Sequence, residues 1–114
     1  MASVEQRVHT RYDIDHAVDV TRSGETHAGR MANLSRGGTL IQTEIEPRMK
    51  IGERVGLSFR VPDLESAIEC QAEVRWVNPV DPSMVGLQFV TGLRASEAWA
   101  LGRFLERVRD GELT

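Results

Sequence analysis

Lysine is almost missing from this chain: Lys50 stands alone among 14 basic residues, and the rest are arginine. That bias lowers the weight of any one arginine as a sign of phosphate binding, so position has to decide. Cys70 is the single cysteine, which rules out an intrachain disulfide and suits a reducing cytoplasm. Aromatic residues make up 5% of the sequence and the formal net charge is -3. The first argues against the stacking platform of a single-strand binder, the second against the basic face of a general nucleic-acid binder. DNA and RNA are therefore not expected partners. Apolar runs are only a few residues long, so no membrane insertion is expected. Glu5, Gln6 and Arg7 follow the first four residues directly and leave no apolar stretch for a secretory signal.

Catalytic groupings are also wanting. His9, His16 and His27 are the only histidines, and none has a second ligand at metal spacing. Ser35 lies in Asn33-Leu34-Ser35-Arg36-Gly37-Gly38, which is not a nucleophile elbow. The carboxylates are scattered over predicted strand exteriors and turns. We expect no enzymatic activity, no metal and no cofactor.

What remains is a chain of 114 residues, 40% hydrophobic and 27% charged, of a size for one compact globular domain. Residues 1–15 show no sustained period and read as an extended arm, and residues 16–110 as the folded domain. The arm's first eleven residues hold too little apolar surface to offset the roughly 1–2 kcal/mol per residue lost on fixing a backbone, so a ligand is expected to order them. Strand patterns follow at residues 16–21, 27–33, 39–43, 53–61, 67–77 and 84–90. The first two are joined through the turn signal Ser23-Gly24-Glu25. Val55, Leu57, Phe59 and Val61 share one face of the fourth strand. Ala72, Val74 and Trp76 share one face of the fifth, which predicts a core position for Trp76. Six short antiparallel strands lower the cost of their edges by curling into a barrel. The period then changes: Leu101, Phe104, Leu105 and Val108 fall at i, i+3, i+4 and i+7, predicting a helix of about 13 residues from about residue 96, with Ser96 as N-cap. Trp99 falls nearly opposite this stripe, which fits either a first turn tucked on the barrel or an aromatic at a partner or homodimer surface.

Two local features carry chemistry. Arg7 and Arg11 are four apart in a segment that looks extended, and Asn33, Ser35 and Gly38 punctuate the join between two strands. Arginine forks bind phosphate bidentately, hydrogen-bond the O6/N7 edge of guanine and stack on purines. Asn and Ser can meet base edges or phosphates, and glycine lets backbone N–H groups approach a ligand. A basic arm folding over a polar loop is one way for an acidic protein to bind an anionic nucleotide.

These two motifs, Arg-x-x-x-Arg and then Asn-x-Ser-x-x-Gly with 21 residues between Arg11 and Asn33, resemble the signature of the PilZ family. Gly52, Val74-Arg75-Trp76-Val77 and Gly86-Leu87-Gln88-Phe89 extend the resemblance over residues 5–109. It implies a six-stranded antiparallel β-barrel with a C-terminal helix, binding cyclic di-GMP at its outer surface and signalling in trans to an effector protein. It also implies that Arg7 and Arg11 grip phosphates and guanine, while Asn33, Ser35 and Gly38 contact the other guanine. Gln6, His9, Arg36 and Gly37 lie beside or within the motifs as possible further contacts. Gln6 stands where many relatives carry another basic residue, a position that bears on whether one ligand or an intercalated pair is bound. A PilZ-shaped adaptor without nucleotide affinity is the alternative.

Overall fold

The computed structural model describes residues 11–90 and 93–111. Its elements are β1 (Tyr12–Arg22), β2 (Glu25–Leu34), β3 (Gly38–Gln42), β4 (Arg54–Phe59), β5 (Ile68–Val77), β6 (Met84–Phe89) and α1 (Ala95–Arg109). All strand pairs are antiparallel, in the order β1-β2-β3-β6-β5-β4, and β1 pairs with β4 to close the barrel. The closing seam is short, pairing Asp19, Val20 and Thr21 of β1 with Ser58, Leu57 and Gly56 of β4.

The alternation seen in the sequence explains the wall. Val55, Leu57 and Phe59 of β4 point inward and are buried, as are Ile68, Cys70, Ala72 and Val74 of β5. β1 and β2 meet through Ser23 and Gly24, both with positive φ (52° and 82°), in the two-residue turn whose twist matches a hairpin. The strand begins at Tyr12, not at residue 16, so the last four residues of the expected arm belong to the barrel wall: Tyr12 lies opposite Leu34 and Asp13 opposite Asn33.

Trp76 corrects a second expectation. It is 46% exposed because β5 carries an extra residue against β6: Val74 pairs with Leu87, but Trp76 pairs with Gly86. Such a bulge shifts the alternation by one, and a side chain two residues from a buried valine turns outward.

Helix α1 closes one end of the barrel. Ala100, Leu101, Phe104, Leu105 and Val108 are buried against it, and the Phe104 ring lies 5.3 Å from that of His16, whose Nε2 donates to the Arg60 carbonyl at 2.6 Å. Ser96 is not the N-cap; Arg94 is. The buried Glu97 carboxylate reaches back to accept from the Arg94 backbone N–H (2.9 Å) and guanidinium (3.0 Å). A carboxylate in the first turn satisfies an orphan N–H and meets the positive end of the helix dipole, so the cap falls one turn before it. Those hydrogen bonds hold the Glu97 carboxyl below its ordinary pKa.

Candidate functional site

The starts of β1, β3 and β5 and the ends of β2, β4 and β6 converge on the end of the barrel that α1 covers. The loop Ser35-Arg36-Gly37 joins β2 to β3 there. Two irregularities prepare it. β1 has an extra residue against β2 between Asp13 and His16, and β2 has an extra residue, Ala32, against β3 between Met31 and Asn33. Bulges of this kind bend a strand and re-aim its side chains.

The loop is held by its own polar groups. The Asn33 side-chain oxygen accepts from Leu40 N–H (3.1 Å), filling the ladder position that the bulge disrupts, and the Asn33 carbonyl accepts from the Thr39 hydroxyl (2.6 Å). Ser35 is buried; its Oγ accepts from the N–H groups of both Gly37 and Gly38, each at 3.1 Å, while its own N–H donates to the Gly38 carbonyl at 2.9 Å. Phe89 N–H donates to the Gly37 carbonyl at 2.9 Å and fastens the loop to β6. Gly38 is fixed by packing: a Cβ there would press into the Leu87 carbonyl oxygen of β6. Of the groups expected to face a ligand, the Ser35 hydroxyl and the two glycine N–H groups therefore face each other. They shape a turn of the Ser/Thr kind, in which the hydroxyl stands in for a backbone acceptor.

The charges around this loop are less committed. Arg11 is exposed and immediately precedes Tyr12; since Tyr12 pairs with Leu34, strand register sets Arg11 beside Ser35. Arg36 is exposed as a residue, yet its guanidinium lies over α1 at Gly102. Among the described residues neither arginine has a carboxylate partner, whereas Arg22, Arg30, Arg54, Arg75 and Arg94 each have one within 4 Å. Two arginines without a carboxylate partner among the described residues, on or beside a rigid polar loop, leave this corner with positive charge. Of the residues expected in the site, the structure brings together Arg11, Asn33, Ser35, Arg36, Gly37 and Gly38. Arg7, Gln6 and His9 lie outside the described residues.

A groove of about 590 Å³ lies elsewhere, on the outer wall over Gly56, with Arg54 and Glu69 of opposite charge on its rim. The groove and the arginines that lack a carboxylate among the described residues thus occupy different faces. No group of three metal-ligating side chains occurs among the described residues, and none of their helices is long and apolar enough to cross a membrane.

A closed six-stranded antiparallel barrel with a helix over one end, and an arginine-flanked Asn-x-Ser-x-x-Gly turn at that end, defines a recognisable class. The sequence model of the PilZ domain matches residues 5–107, and the chain belongs to that family. Its fold is similar to that of the Bacillus subtilis inhibitor of motility MotI/DgrA (TM-score 0.69, 22% identity), covering 92% of this chain and 52% of that one, so the chain spans about half the length of that relative. It is equally similar to the PilZ domain of YcgR from Escherichia coli, solved with c-di-GMP (TM-score 0.70, 13% identity), covering 93% and 94% of the two chains. The comparison with curated proteins finds no match.

Proposed function

We propose that this protein is a cyclic di-GMP receptor that acts in the cytoplasm and signals in trans to an effector protein, without catalysing a reaction. The observation that carries this reading is Arg11, exposed, set by strand register beside the Ser35–Gly38 turn, and without a carboxylate partner among the described residues. Family membership and the ligand named for the YcgR domain support it. Arg7 and Arg11 would take phosphate and guanine. Asn33 offers its NH2 group, and Ser35 and Gly38 act chiefly by holding the turn that presents it.

Isothermal titration with cyclic di-GMP is the direct test. The parent protein binds, and Arg7→Ala and Arg11→Ala each lose roughly tenfold to a hundredfold in affinity, the usual worth of a charge-assisted hydrogen bond, with melting temperatures unchanged. Absence of binding by the parent would favour the second reading, a PilZ-shaped adaptor without nucleotide affinity. That reading draws on the inward engagement of the Ser35 hydroxyl and the Gly37 and Gly38 N–H groups.

A further inference from the structure

Arg36 is the residue at which the candidate loop and the end-capping helix touch. An ideal Cβ built on Gly102 would fall 2.5 Å from Arg36 Nη2, 2.8 Å from Nη1 and 2.9 Å from Cζ. The guanidinium therefore occupies the space that any other residue at position 102 would fill. Gly102 is buried in the middle of α1, where glycine is the poorest helix former after proline. Its presence there has a physical explanation once Arg36 is taken into account: it is the socket for that side chain. Among the described residues the contact brings Arg36 no carboxylate: the cation rests on helix backbone.

We propose that Arg36 is a latch shared between the ligand and the helix: docked on Gly102 in the free protein, and withdrawn to meet a phosphate of cyclic di-GMP when the ligand binds. This inference rests on the receptor reading above and adds its regulation. Arg36 follows the Ser35 that anchors the turn and precedes Gly37, so its backbone is fixed while its long side chain is not. The two destinations exclude one another, because one guanidinium cannot lie on Gly102 and grip a ligand at the outer side of the loop. Docking then reduces apparent affinity by the fraction of molecules in which Arg36 is free. Conversely, ligand binding empties the Gly102 socket and alters the surface of α1 beside Trp99, whose ring lies 5.6 Å from the Arg103 guanidinium. An effector reading the helix would in this way sense the ligand at the loop.

Gly102→Ala is a clean probe. The atoms nearest the new methyl all belong to the far end of one flexible side chain, and alanine strengthens the helix. It evicts Arg36 from the socket in advance of binding, so cyclic di-GMP should bind roughly threefold to tenfold more tightly by titration. Arg36→Ala should weaken binding, and Gly102→Ala should have no effect on affinity in that background. A gain of the same size in both backgrounds, or a loss on Gly102→Ala alone, would overturn the latch while leaving the receptor reading intact. If the parent binds no cyclic di-GMP, both fall together. Amide hydrogen exchange gives a readout of the contact without ligand: Arg36→Ala should speed exchange in residues 99–106 of the otherwise unaltered protein. Unchanged exchange would show that Arg36 does not hold the helix.

Discussion

At the end of the barrel away from α1, arginine is answered by carboxylate. The Arg22 guanidinium forks onto Glu53 (Nε to Oε2 2.6 Å, Nη2 to Oε1 3.0 Å) and donates to the Pro47 carbonyl, and Glu53 Oε1 also accepts from Lys50 N–H at 3.1 Å. Asp81 caps its own loop through Ser83. At the α1 end Arg94 has Glu97 and Arg107 has Asp63, but the two arginines at the Ser35–Gly38 turn, Arg11 and Arg36, have no carboxylate among the described residues. The same residue type thus plays two parts. A matched arginine ties loops into a stable cap, and an unmatched one beside a rigid turn is available to an anion.

The largest expected effect tests whether the site end is as rigid as this contrast demands. Gly38→Ala drives a methyl into a backbone carbonyl of β6, which no side-chain rotation relieves. It should cost about 3 kcal/mol and lower the melting temperature by roughly 12 °C in a circular dichroism melt. A shift of only a degree or two would mean that the β3–β6 approach yields easily and that the turn is not a fixed platform.

Next in size is the matched end. Arg22→Ala should cost about 2 kcal/mol at neutral pH, because it strands a partly buried carboxylate and removes charge-assisted hydrogen bonds. Cyclic di-GMP affinity should stay as in the parent; a loss would break the division between the two ends. The pair also sets a pH dependence. The side-chain hydrogen bond from Arg22, more than any other contact, holds the Glu53 carboxyl below its ordinary pKa. With the folded pKa below the unfolded one, the contribution is fully present above the usual glutamate value of ~4.3 and is lost as pH falls through the lowered folded value. Melts from pH 7 down to pH 3 should therefore show the parent and Arg22→Ala converging at the acid end. Parallel curves would show that the Arg22–Glu53 pair is not the source.

The smallest effect sharpens the comparison by lying in neither end. Cys70 points into the core, and burial, with a smaller contribution from the Glu97 charge, pushes its thiol up to about 11. A thiol reagent at pH 8 should leave the folded protein unlabelled over minutes and react at once in denaturant. Rapid labelling in buffer would place Cys70 at the surface and disturb the register assigned to β5.

The barrel was legible in the sequence because its information is local: β4 alternates without fault from Val55 to Phe59, and the turn at Ser23–Gly24 announces itself by residue type. Trp76 was misplaced because a bulge depends on how β5 meets β6, and period counting along one strand assumes that every residue has a partner. Residue type alone points to Ser96 as N-cap, while the decisive group is the Glu97 carboxylate reaching back to Arg94. In the candidate site, Arg11, Asn33, Ser35 and Gly38 stand out in the sequence by spacing, and the structure brings them to one corner. The inward use of the Ser35 hydroxyl was not readable, since a hydroxyl that makes a turn and one that meets a ligand occupy the same place in a sequence. The Arg36–Gly102 contact joins two distant positions, one of which has no side chain to attract notice.

The outward turn of Trp76 has a practical consequence. The chain has two tryptophans, Trp76 near the matched-charge end and Trp99 on the helix that covers the other, 46% and 59% exposed. The protein is thus born with a fluorophore at each pole. Replacing either one by phenylalanine leaves a single tryptophan whose colour and quenching report on one pole alone, with no dye attached. A change that light from Trp99 records and light from Trp76 ignores is an event of the helix end, seen in real time against an internal standard.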